Sequence, residues 1–166
     1  RIAGIPAARW AVLAGNFMDA RTAADLGLVT NLVDVTEVDS TISALDSQGK
    51  PEEKYPATPV NPDSKIATFA MSFYSDDNMN TILSGGCPDG FDPEDKLVSR
   101  QLKSLSRTAP IALRMASDLI DAAGTTELSG GLSQELDNLE AIFSTNDALE
   151  GLSALIEGRK PTYQNS

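Results

Sequence analysis

A chain of 166 residues, 41% hydrophobic and 22% charged, has the balance of a soluble globular protein and length enough for one domain with its own core. Its 24 acidic against 13 basic side chains leave a net charge of -11, which argues against a general nucleic-acid binder, since that would need a basic stripe. No run of about 18 apolar residues occurs, so neither a bilayer-spanning helix nor a membrane partner is expected.

The single Cys87 rules out an internal disulfide and fits a reducing compartment, so the expected location is cytoplasmic. Asp outnumbers Glu and Lys is scarce, a balance that a salt-adapted cytoplasm favours and that an ordinary acidic protein also shows. Arg1-Ile-Ala-Gly-Ile-Pro6 carries neither an initiator Met nor a signal-peptide pattern, and reads as a cut inside a longer chain or a processed end.

The first expected helix runs from Pro6 to about Ala14, with Trp10, Leu13 and Ala14 on one face and Gly15-Asn16 as its stop. Asp19 caps a short helix from Ala20 to Leu26, which Gly27 ends in a left-handed conformation. Leu28 to Val33 alternates apolar and polar residues and predicts a short strand. An acidic helix over 36–48, capped by Thr36, comes next. Residues 49–62 hold Pro51, Pro56, Pro59 and Pro62, a density that predicts an exposed loop.

Ser64 or Asp63 caps a helix bearing Ile66, Phe69, Ala70 and Phe73 on one face, and Ser75 opens another with Met79, Ile82 and Leu83, ended by Gly85-Gly86. The acidic turn 85–95 lacks the spacing and closing glutamate of an EF-hand, so it predicts no calcium site. Asp92 as N-cap with Pro93 at the first helical position accounts for it. Three long helices follow: Pro93 to about Arg107, with Leu97, Leu102 and Leu105 inward; Pro110 to Ala123, stopped by Gly124; and Leu132 to Ser144. A last helix covers Asp147 to about Gly158, with Asp147 and Glu150 spaced as a capping box. The expected fold class is mainly α, with one short strand near 28–33.

Chemistry is sparse. With no histidine, the commonest general base, the usual nucleophilic triads and most zinc sites are gone, and Cys87 has no imidazole to activate it. No glycine-rich phosphate loop follows a strand. The acid pairs Glu52/Glu53, Asp76/Asp77 and Glu94/Asp95 are sequence neighbours rather than groups converging from different elements. The expectation is therefore no catalytic residue, no metal and no cofactor. Arg159 and Lys160, after the last helix, are the candidate anion-binding pair, able to meet phosphates through charge-assisted bonds or simply to complement the helix dipole.

Two phrases, Arg21-Thr-Ala-Ala-Asp-Leu-Gly-Leu-Val-Thr-Asn-Leu-Val-Asp34 and Asp147-Ala-Leu-Glu-Gly-Leu-Ser-Ala-Leu-Ile-Glu-Gly-Arg-Lys-Pro161, resemble the C-terminal part of the enoyl-CoA hydratase/isomerase (crotonase) family. Val12 to Gly15 and Ser106 to Leu113 resemble it in the same order. The resemblance implies the C-terminal helical part of the crotonase fold without its β-rich core: 1–34 continuing that core, 35–95 a helical insert, and 96–166 an oligomerisation and CoA-lid region. It further implies an acyl-CoA substrate, coenzyme A being part of it, and a trimer-type homo-oligomer or a fused or adjacent catalytic domain. The implied activity is hydration of trans-2-enoyl-CoA in fatty-acid β-oxidation, with the family's oxyanion turn and glutamates upstream of Arg1 and this chain inactive alone. Arg159 and Lys160 would then meet CoA phosphates.

Two positions depart from the pattern: relatives often have Lys where this chain has Gly158, and an aromatic where it has Leu139. About 60 residues between Val33 and Val98 are also unusual, and Ile66 to Leu83 resembles the insert of 3-hydroxyisobutyryl-CoA hydrolases or of hydratases fused behind a dehydrogenase. A hydrolase-type thioesterase is thus the alternative activity. A non-catalytic helical assembly module, using the apolar faces at 132–143 and 147–156, is the alternative of another class.

Overall fold

Four side chains set the starts of helices by accepting a backbone N–H one turn ahead: Asp19 from Thr22, Ser64 from Ala67, Asp95 from Leu97 and Val98, and Thr145 from Ala148. The computed structural model describes residues 1–48 and 60–166. Within them lie nine α-helices: α1 Ile5–Leu13, α2 Ala20–Asp25, α3 Val38–Gln48, α4 Lys65–Phe73, α5 Asp76–Leu83, α6 Lys96–Leu105, α7 Pro110–Ala123, α8 Leu128–Phe143 and α9 Asn146–Glu157. A 3-10 turn, Val35–Glu37, leads into α3. The chain is mostly helical, as its composition of caps and apolar stripes predicts.

Helix α1 is the hub, packing against both α4 and α7, with α2 on α4, α5 and α8 on α7, and α9 on α8. Trp10, Leu13 and Ala14 meet Leu26, Phe73, Ile82, Val98, Leu105 and Leu113 in one buried cluster. Burying each large apolar side chain contributes on the order of 2 kcal/mol. At its heart Phe73 is covered by three rings, stacked on Phe69 at 5.0 Å and edge-on to Tyr74 and Phe91 at 5.1 and 5.0 Å. The cluster draws side chains from all three stretches 1–34, 35–95 and 96–166.

Several expectations are corrected. No strand forms at 28–33. A strand persists only as a rung in a ladder, and among the described residues nothing pairs with this stretch. Leu28, Val29, Leu32 and Val33 are all partly exposed, so burial does not alternate between its two faces. Asp34, not Thr36, caps the 3-10 turn by accepting the Thr36 N–H at 3.1 Å. Asp92 closes a turn over 92–95 instead of starting a helix; α6 begins at Lys96 because Asp95 satisfies two of its orphan donors.

Helix α8 starts at Leu128, a turn earlier than expected, and runs through Gly130-Gly131. Thr126 Cγ2 and the Arg1 side chain approach these glycines where Cβ atoms would sit, at 2.9 and 3.2 Å, so close contact offsets their low helix propensity. Thr145 caps α9, and Asp147 does other work. The Pro-rich loop expected over 49–62 lies outside the described residues as far as Pro59. Beyond it, Asn61 returns to the end of α2, its backbone N–H donating to Asp25 O at 2.8 Å and its amide to the Asp25 carboxylate at 3.0 Å.

Candidate functional site

The stretch after α9 doubles back over that helix, and charge holds it there. Gly158 adopts a left-handed φ of 67°, turning the chain, and Arg159 then returns its N–H to Ala154 O at 3.0 Å. The Arg159 guanidinium takes Glu150 in a fork, Nη1 to Oε1 at 2.6 Å and Nη2 to Oε2 at 2.8 Å, while its Nε reaches Glu157 at 2.5 Å. Thr162 N–H adds a bond to Glu150 at 2.7 Å. The Arg159 fork, followed by the Thr162 N–H, holds the Glu150 carboxyl down at about 2, and the same partnership, Glu150 first, raises Arg159.

Farther along, Asp147 receives Gln164 N–H at 2.7 Å and Asn165 N–H at 3.0 Å on its two oxygens, and gives its own N–H to Ser166 O at 3.0 Å. Although 2% exposed, this carboxylate is thereby satisfied by backbone donors. Residues 159–166 form a strap fastened at two carboxylates. Lys160 is exposed on it, its carbonyl near Arg159 at 3.4 Å. Of the two candidate phosphate ligands, Arg159 is thus already shared by two carboxylates, and an anion reaching it competes with Glu150.

Two buried polar centres escaped the sequence reading. Arg9, 3% exposed on the apolar helix α1, donates through Nη2 and Nε to Asp121 at 2.6 and 3.2 Å, and through Nη1 to Asp76 at 2.7 Å and Tyr74 O at 3.0 Å. It ties α1 to the start of α5 and the end of α7, beside a cleft of about 530 Å³ that also touches Met79, Asn80 and Ser117. The second centre is Gln101, whose carbonyl accepts from the Asn16 amide at 2.8 Å and the Tyr74 hydroxyl at 3.0 Å; burial pushes that phenol up. An arginine inside a helical apolar run was the only signal for the first, and nothing local marked the second.

Neither centre resembles an acid/base pair: the Arg9 guanidinium is held by two solvent-open carboxylates and a carbonyl, and Gln101 is a neutral amide engaged by Asn16 and Tyr74. Cys87, half-buried, donates to Phe91 O at 3.4 Å in its turn. Among the described residues no group of three His, Cys, Asp or Glu side chains gathers for a metal ion, and no helix is long and apolar enough to cross a membrane. Among the described residues, Leu132, Leu136, Leu139 and Phe143 on α8 and Leu149, Leu152, Leu155 and Ile156 on α9 are all exposed.

Comparison with known proteins gives partial relatives of one kind. "Probable enoyl-CoA hydratase 2, mitochondrial" of Arabidopsis thaliana is 36% identical over 61 residues, 37% of this chain and 20% of that protein. "Probable enoyl-CoA hydratase echA8" of Mycobacterium bovis and of Mycobacterium tuberculosis is 30% identical over 129 residues, 69% of this chain and 49% of those proteins. The chain spans about half the length of the mycobacterial relatives it matches. No family model matches it, and no solved structure does.

Proposed function

We propose that this chain is the C-terminal helical part of a crotonase-type acyl-CoA enzyme, an enoyl-CoA hydratase adding water across trans-2-enoyl-CoA in fatty-acid β-oxidation. The observation that carries the reading is the 129-residue similarity to hydratases, in a mostly helical chain. In such a reaction the water oxygen bonds to C3 of the enoyl thioester and a proton goes to C2. The negative charge that develops on the thioester oxygen calls for preorganised N–H donors, and the water for a carboxylate base. None of the residues described here is assigned either role, and the chain alone is expected to be inactive.

In this reading 1–34 continues the catalytic core, 35–95 is an insert and 96–166 covers the acyl-CoA. Lys160, with Arg159 once an anion displaces Glu150, meets the CoA phosphates. The test follows the ultraviolet absorbance of crotonyl-CoA with the protein of the whole gene and with this chain alone. Loss of absorbance with the first and none with the second is expected. Turnover by the isolated chain overturns the proposal, and release of free thiol by the whole protein replaces hydration with thioester hydrolysis.

A second reading is favoured by the exposed apolar faces of α8 and α9: a non-catalytic helical module that mediates assembly, either with copies of itself or with a catalytic domain.

A further inference from the structure

We infer that the cavity between α5, α6 and α7 binds a small carboxylate carrying an unbranched apolar tail, with Arg114 as its anchor. The cavity measures about 390 Å³, within the range of ligand pockets, and its wall is mainly apolar, Ile82, Leu83, Leu102, Leu105 and Leu113, with Ser84, Ser106 and Thr108 among its other lining residues. Arg114, one turn into α7, stands with Asn165 of the strap at its rim. The ion pairs among the described residues engage Arg9 and Arg159 but not Arg114, and Asp118, one turn farther along α7, makes none with it.

A guanidinium with no carboxylate partner among the described residues, at the mouth of a leucine-lined cavity in a chain of net charge -11, is the complement of an anionic amphiphile. Its present partner is a neutral amide: Nη1 donates to Asn165 Oδ1 at 2.9 Å, the contact a carboxylate oxygen would take over. Displacing that amide leaves the strap in place, because the Asn165 backbone is held separately by buried Asp147. The site takes a free acid, not a thioester, and stands independently of the hydratase reading.

Titration calorimetry of this chain with octanoate, shorter acids and octanol tests it. Octanoate binds saturably with one site, and each methylene removed weakens binding about fourfold. Arg114→Gln, at an exposed position, weakens it about tenfold or more while helical circular dichroism is unchanged. Asn165→Gly tightens it, since no amide competes. Leu155→Glu, which breaks the apolar face of α9, leaves it unchanged. Absence of saturable binding overturns the assignment. So does equal affinity for octanol, undiminished affinity in Arg114→Gln, or loss of binding in Leu155→Glu, which would locate the acid on α9.

Discussion

Arg159 and Glu150, nine residues apart, meet in a two-bonded fork that fastens the strap 159–166 to α9. Because the folded state holds Glu150 at about 2 against an ordinary 4.5, the pair adds stability above the ordinary value, and that stability is lost as pH falls from about 4.5 to about 2. Asp19, Asp25 and Asp34 are also lowered, by Thr22, by Asn61 and Ser64, and by Thr36, and add to the same acid limb. Glu150→Gln is therefore expected to reduce stability at pH 7 and to flatten, without abolishing, its fall in acid. Urea midpoints measured at pH 7, 4 and 2.5 check this, and added salt narrows the gap between the two proteins because the pair is partly exposed.

Arg9 offers a contrast between removing a buried charge and removing its partner. Arg9→Met takes the cation away and leaves Asp76 and Asp121, both open to water, so the expected loss is about 1–3 kcal/mol from the broken bonds. Asp121→Asn keeps the guanidinium buried and strips it of its shorter charged bond to α7. The expected cost is at least as large, although only one carboxylate changes. Denaturant unfolding of the two variants decides it: an asparagine variant as stable as the parent shows that the Asp121 charge adds nothing beyond an acceptor for Arg9.

The parts of this architecture that were legible in the sequence are those that local chemistry decides. Asp19 before Ala20, Gly27 after a short helix, and Pro110 with Gly124 around α7 act within one turn, and each element lies within a residue of its expected place. Where two side chains compete for one helix start, spacing alone does not choose. Asp95 won over Asp92, and Thr145 left Asp147 to hold the strap 17 and 18 residues away. Long-range pairing was silent altogether. Arg9 finds Asp121 at a separation of 112 residues, and the alternation of 28–33 promised a strand whose partner the described residues do not contain. The candidate site was half legible: Arg159-Lys160 stood out as cations, whereas the Glu150 fork that occupies one of them did not.

That occupation separates the two cations experimentally. If the whole protein binds CoA phosphates here, Lys160→Gln weakens CoA binding by about two- to fivefold, the worth of one exposed charge contact. Arg159→Gln changes it less, since Arg159 contributes only after leaving two carboxylates. Equilibrium titration with CoA ranks them, and a larger effect at Arg159 would mean the fork opens readily.

The final expectation sets the core against the bare helix faces. Phe73 has no exposed surface and is packed by three aromatic rings, so Phe73→Ala leaves a cavity and costs about 3–5 kcal/mol. Leu155 and Ile156, 78% and 85% exposed at the end of α9, touch little within the chain. Converting both to Ser changes the stability of a monomer by about 0.5 kcal/mol or less. In water, however, those side chains with Leu149 and Leu152 form an exposed apolar surface that self-association would bury. Light scattering over a range of protein concentrations is expected to show self-association in the parent and a shift toward monomer in the double Ser variant, with Phe73→Ala lowering stability at every concentration. A parent that stays monomeric throughout removes the support for the assembly reading, because the exposed leucines would then have no partner in copies of this chain.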